Sequence, residues 1–191
     1  MFMQAPNTPA AFDRVYRAPL SPWGDVRIPP ELKELARAGN PRSALELGCG
    51  VGRFSRYMAQ AGLRAVGVDF SSVAIEKARA RVAQDAAKPE FLVADVQELT
   101  LEDTFDISFD VGCFHCLDEV KQRAYVAQVS RLLRPGGTHL IWALDGAPSG
   151  QRLTAAAVAH AFAPAFTLTS NEKSRRRLAA SHWYWLRRAQ L

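Results

Sequence analysis

The sequence predicts an α/β fold in which a largely parallel sheet is covered by helices on both faces, and three observations support this. Residues 43–47 (SALEL) are a short apolar run that breaks at Gly48, Gly50 and Gly52 and resumes as a helix with Phe54 and Met58 on its apolar side. The apolar runs RAVGVD, FDISFDV and THLIWAL then alternate with the helical stretches SSVAIEKARARVAQ and LDEVKQRAYVAQVSRLL. Near the end, SHWYWLRR puts Trp183 and Trp185 on one face and His182, Tyr184 and Leu186 on the other. Apolar groups on both faces suit an interior strand under helices.

The elements follow in order. Residues 1–11 are polar and aperiodic and are expected to be loose, with a helical turn at 12–16. An extended segment around Trp23 precedes a helix at 30–38, for which Pro30 suits the first turn. The strand at 43–47 leads through the glycines to a helix at 52–61, and RAVGVD is the second strand, ending on Asp69. Ser71 or Ser72 caps the helix that follows. EFLVAD is the third strand, ending on Asp95, and FDISFDV the fourth, ending at Asp110 and Val111. A helix beginning near Asp118 is expected to run until Pro135, Gly136 and Gly137 stop it. THLIWALDG, the alanine-rich helix RLTAAAVAHAF, FTLTSNEK and SHWYWLRR complete seven strands and about six helices.

The chemistry starts at the glycines. Bare backbone at alternate positions allows a tight turn and close approach of a ligand, and a helix start offers N–H groups to a negative group. A dinucleotide loop wants a third glycine at position 53, where this chain has Arg53, so the spacing is GxGxG. Glu46, at the mouth of the first strand, would repel a pyrophosphate and favour an ammonium or sulfonium group.

On ELGCGVGRFS and Asp69 the chain resembles class I S-adenosylmethionine-dependent methyltransferases. The stretches YRAPLSPWGDVRIPPEL, DVGCFHCL and LLRPGG resemble a small-molecule branch of that family, the thiopurine-, thiol- and halide-methyltransferase-like enzymes. The resemblance spans residues 16–188 and implies one domain over 1–191, with an N-terminal lid and helix segment at 1–40 and a core at 41–191. It also implies a Rossmann-like seven-stranded sheet whose last strand is antiparallel and inserted beside the fifth. Its implied cofactor is S-adenosyl-L-methionine, with Glu46, Gly48, Gly50, Gly52, Asp69, Phe70, Asp95, Val96, Asp110 and Val111 on the cofactor side. In that arrangement Asp69 takes the ribose hydroxyls, Asp95 the exocyclic amine of adenine, Val96 a main-chain contact and Phe70 the face of the ring. Trp23, Cys113 and Phe114 fall on the lid and acceptor side. Methyl transfer from a sulfonium is an in-line displacement that needs mainly positioning in a dry pocket, and His115 is the candidate base or substrate clamp.

Several residues keep a second meaning. Trp23 either closes the site or packs the N-terminal helix, Asp95 is a ligand or a turn residue, and His115 is a base or a packed ring. Cys113 and Cys116 have CxxC spacing, but a zinc site needs about four ligands and no second cluster exists, so no metal is expected. The Asn or Asp followed by Pro-Pro that marks nucleic-acid amino-methyltransferases is absent after the fourth strand. The last twenty residues carry six basic groups and one acid, so the whole net charge of +5 lies in the tail. That tail is either a solvated edge or an RNA-binding arm of a non-catalytic cofactor-binding module. Lacking a leader pattern or a membrane-length apolar run, the chain reads as a cytoplasmic protein, monomer or homodimer, that acts on a small molecule rather than on nucleic acid or a membrane.

Overall fold

The computed structural model describes residues 8–18, 27–146, 150, 152–174 and 180–190. The residues around Trp23 and the arginines at 175–177 lie outside that set. Seven strands form one sheet: β1 (Ser43–Leu47), β2 (Arg64–Asp69), β3 (Glu90–Val93), β4 (Phe105–Val111), β5 (Leu133–Leu144), β6 (Phe166–Lys173) and β7 (Ser181–Arg188). Their order is β3-β2-β1-β4-β5-β7-β6, with β7 antiparallel to both its neighbours. The strand count and the antiparallel last strand beside the fifth are as expected from the sequence and its resemblance.

Among the described residues six α-helices accompany the sheet: α1 (Pro9–Arg17), α2 (Pro30–Leu35), α3 (Arg53–Gln60), α4 (Ser72–Arg81), α5 (Glu119–Leu132) and α6 (Ala155–Phe162). On one face Leu32 and Leu35 of α2 and Phe54 and Met58 of α3 pack with Trp142, Trp183 and Trp185. On the other, Tyr125 and Val129 of α5 and Phe162 of α6 meet Ile141, Tyr184 and Leu186. The two-sided apolar character of β7 arises because alternate side chains enter the two cores.

Three elements depart from expectation. The N-terminal helix is longer than one turn: it starts at Pro9, and Thr8 caps it by accepting the Ala11 N–H. Pro9 has no N–H to lose at a first helical position, so a residue that reads as loose is a helix start. Strand β3 stops at Val93, which leaves Asp95 in the following turn. Helix α5 ends at Leu132, and 133–137 already belong to β5, where the pairing with β4 shifts register between Phe105 and Ile107.

One lock joins strand to helix at the centre. Gly52, in the left-handed region at φ 73°, gives α3 no side-chain cap. The carboxylate of Glu46, from β1, fills that role by accepting the Ser55 N–H at 2.7 Å and the Ser55 hydroxyl. The helix start that the sequence offers to an anionic ligand thus has one of its N–H groups satisfied by a carboxylate of the protein itself. Burial raises the Glu46 pKa to about 8, although both Ser55 hydrogen bonds favour the charged form.

A carboxyl group whose folded pKa is raised contributes stability that is complete below its unfolded pKa and is lost as pH rises through the folded value. Glu46→Gln keeps an oxygen for Ser55 and removes the titration. Urea unfolding at pH 5 and pH 8 is expected to show the wild type losing stability between the two values and the variant losing clearly less.

Candidate functional site

The site sits where the parallel strands end. Gly48, Gly50 and Gly52 all adopt positive φ, at 69°, 52° and 73°. At Gly50 the close approach is visible: a Cβ there would lie 2.6 Å from the hydroxyl of Tyr16 on α1. At Gly48 it would lie 2.7 Å from the Cβ of Cys113. A loop that follows β1 is therefore bare on the side facing α1 and the loop after β4.

Asp69 closes β2 and is 5% exposed. It accepts the Gly50 N–H at 2.8 Å with one oxygen and the Ser71 N–H at 2.9 Å with the other. Each carboxylate oxygen has a second lone pair, which leaves capacity for two vicinal hydroxyls. Burial raises its pKa to about 6, against the pull of those two hydrogen bonds.

Helix α1 lies over this corner. Asp13 accepts the Ser71 hydroxyl at 2.5 Å, Lys77 of α4 donates to the Tyr16 carbonyl, and Phe12 meets Phe70 edge-on at 5.0 Å. Ser71, which also caps α4 by accepting the Ala74 N–H, thus ties together the loop after β2, α4 and α1.

Asp110, at the end of β4, is fully buried. It accepts the N–H groups of Gly112, Cys113 and Phe114 and the hydroxyl of Tyr125, all near 3 Å. A buried chain backs this up, since Tyr125 meets His139 at 3.2 Å and His139 meets Ser108 at 2.8 Å. Burial lowers the His139 pKa to about 3, so the ring stays neutral. Asp110 is pushed up to about 6 by burial, which its four hydrogen bonds oppose. It fixes the loop after β4 by its main-chain N–H groups.

That shaping turns Phe114 away. The ring is fully buried between Tyr125 and Phe162, at 5.3 Å from each, so it belongs to the core and not to an acceptor wall. Cys113 remains beside the glycine loop, and burial holds its thiol neutral by raising its pKa. Asp95 is exposed and accepts both the N–H and the side-chain amide of Gln97, at 2.9 Å each, while Val96 is buried. Val111 is half-buried at the end of β4.

His115 is 5% exposed and stands edge-on to Trp142 at 5.8 Å. Its Nδ1 accepts the Leu144 N–H at 3.2 Å, so in the neutral ring the proton is on Nε2. A pair that sequence reading passed over lies just past the end of β5: Nδ1 of His182 is 2.6 Å from Oδ1 of Asp145. Among the described residues no group of three or more His, Cys, Asp and Glu side chains comes together to hold a metal, and no helix is long and apolar enough to cross a membrane.

The donor set fits an adenosyl cofactor with a positive charge. Carboxylates at the ends of β1 and β2 can accept hydroxyls and favour cations, and both stand beside the glycine loop. Residues 44–137 match a family model described as a methyltransferase domain. A ubiquinone biosynthesis O-methyltransferase of Bordetella avium is 33% identical over 109 residues, which is 56% of this chain and 44% of that one. The chain spans about half the length of the curated relatives it matches. A structure solved in work on the conversion of a disulfide bond into a thioacetal group during echinomycin biosynthesis superposes with a TM-score of 0.82 at 26% identity, over 96% of this chain and 94% of that one. The N-methyltransferase NodS of Bradyrhizobium japonicum, solved with S-adenosyl-L-homocysteine, gives 0.81 at 21% identity over 96% and 99%. Residues 44–137 thus match a methyltransferase domain, and the chain has the Rossmann-like fold of solved methyltransferases.

Proposed function

We propose that this chain transfers a methyl group from S-adenosyl-L-methionine to a nucleophilic O, S or N atom of a small molecule. The observation that carries the reading is the bare turn at Gly50, held by Asp69 from below and covered by Tyr16 from above. A thiol or halide acceptor, as in the branch that the N-terminal segment and the loop after β4 resemble, is included in the proposal. The names of the O-methyltransferase relative and of NodS support the wider class, in which oxygen and nitrogen also accept.

The bound cofactor would supply an electrophilic methyl carbon next to a positively charged sulfur. Asp69 would hold the ribose, and Gly48 and Gly50 would bring main chain against the amino-acid portion. Phe70 and Val96 would flank the adenine, with Asp95 at its amine. Tyr16 beside Gly50 and Phe12 against Phe70 would help α1 to keep water from the cleft. Such holding in a dry pocket is where the rate gain of an in-line displacement comes from.

Calorimetry is expected to show binding of S-adenosylhomocysteine. A panel of thiols, halides, phenols and amines should then yield that product from S-adenosylmethionine; binding without any turnover would remove the enzymatic reading. Asp69→Ala should weaken binding of S-adenosylhomocysteine by about 2 kcal/mol or more, because it deletes charge-assisted hydrogen bonds. Gly50→Val should abolish binding, since its Cβ would meet Tyr16 and its φ of 52° strains a β-branched residue. Unchanged affinity in both variants would move the site elsewhere.

A further inference from the structure

We infer that His182, oriented by Asp145, is the base that takes the proton from the methyl acceptor. The inference rests on the methyl-transfer reading and adds a residue to it. Strand β7 runs against β5, so its first residues lie at the edge where the parallel strands end, with His182 opposite Ala143. The two side chains are 26% and 33% exposed, on an edge whose next four residues, 183–186, are buried.

The pair is held rigidly. The Asp145 N–H donates to the Ala180 carbonyl at 3.0 Å, and the Asp145 carbonyl accepts the Leu153 N–H at 3.3 Å. Tyr184 fastens the same loop by donating its hydroxyl to the Leu153 carbonyl at 2.5 Å. A carboxylate fixed in this way selects one tautomer of its partner: Nδ1 of His182 carries the proton toward Oδ1 at 2.6 Å, and Nε2 keeps its lone pair. His115 has the reverse arrangement, with Nδ1 occupied by the Leu144 N–H and the proton on Nε2. Of the two imidazoles at this edge, His182 is the one set up to accept.

The proton balance closes without a further reactant. The nucleophilic atom of the acceptor forms its bond to the methyl carbon, and the carbon–sulfur bond breaks with its electron pair on sulfur. The acceptor's proton passes to Nε2 of His182, and Asp145 offsets the charge of the imidazolium until water removes the proton. Among the described residues, the other groups facing His182 are Tyr184, whose ring lies at 6.1 Å, and Lys173, its register partner on β6. Burial and the charge of Asp145 raise the Tyr184 pKa to about 12, which leaves Asp145 as the acidic partner of the ring.

The test compares His182→Gln and Asp145→Asn with the wild type, using phenol as an acceptor that arrives protonated and iodide as one that has no proton to lose. Both variants should bind S-adenosylhomocysteine as the wild type does, while the phenol-to-iodide turnover ratio falls by about 100-fold or more in His182→Gln. Nitrogen-15 spectra of the histidine rings in the protein bound to S-adenosylhomocysteine should show the Nδ1–H tautomer at His182. An unchanged ratio, an Nε2–H tautomer, or binding of S-adenosylhomocysteine without any turnover of phenol overturns the role of His182 and leaves the cofactor site standing. Failure of the wild type to bind S-adenosylhomocysteine would instead remove the methyl-transfer reading itself.

Discussion

Three buried carboxylates, each at or near the end of a central strand, hold the loops from which the site is made. Glu46 of β1 accepts from Ser55, Asp69 of β2 from Gly50 and Ser71, and Asp110 of β4 from Gly112, Cys113 and Phe114. In each case an acid ties down main-chain N–H groups that a turn would otherwise leave unpaired in a water-poor place. The common cause, removal from water, drives all three acids toward the neutral form, and the N–H groups pull them back. A cation nearby would favour the charged form of these groups, which suits a cofactor that arrives with a sulfonium and an ammonium.

Much of this was legible in the sequence because it is local. The glycine spacing, the acid ending β2 and the serine capping α4 lie within thirty residues of one another, and alternation or an apolar run was enough to place the strands. The inserted last strand followed from the resemblance and from apolar groups on both faces of SHWYWLRR. What stayed hidden depends on partners far apart in the chain. Nothing around His182 points to Asp145, which reaches it only because β7 turns back along β5. The tilt of Phe114 into the core is set by Asp110, and Tyr16 is placed over Gly50 by contacts from α4. The polar start of the chain masked the local signal of Thr8 and Pro9 for a helix start, and the helix stop at Pro135, Gly136 and Gly137 did not reveal that β5 already begins at Leu133, paired with Phe105.

The two sides of the site are built differently. On the cofactor side main chain dominates: bare glycines and N–H groups gripped by acids, with α1 laid across. On the side proposed for the acceptor stand side chains from the loop after β4, the end of β5 and the start of β7. Chemistry common to a cofactor class can rest on backbone, whereas recognition of a particular acceptor needs side chains whose identity can change without disturbing the sheet.

The antiparallel course of β7 has a geometric consequence. Its side chains alternate between two cores, so its register against β5 decides what stands at the rim. A slip of one residue would shift the strand by about 3.4 Å and exchange its faces, sending tryptophans where tyrosine and leucine now pack. The bulky rings of Trp183 and Trp185 therefore act as a register gauge that keeps an imidazole, and not its neighbour, at the edge of the sheet.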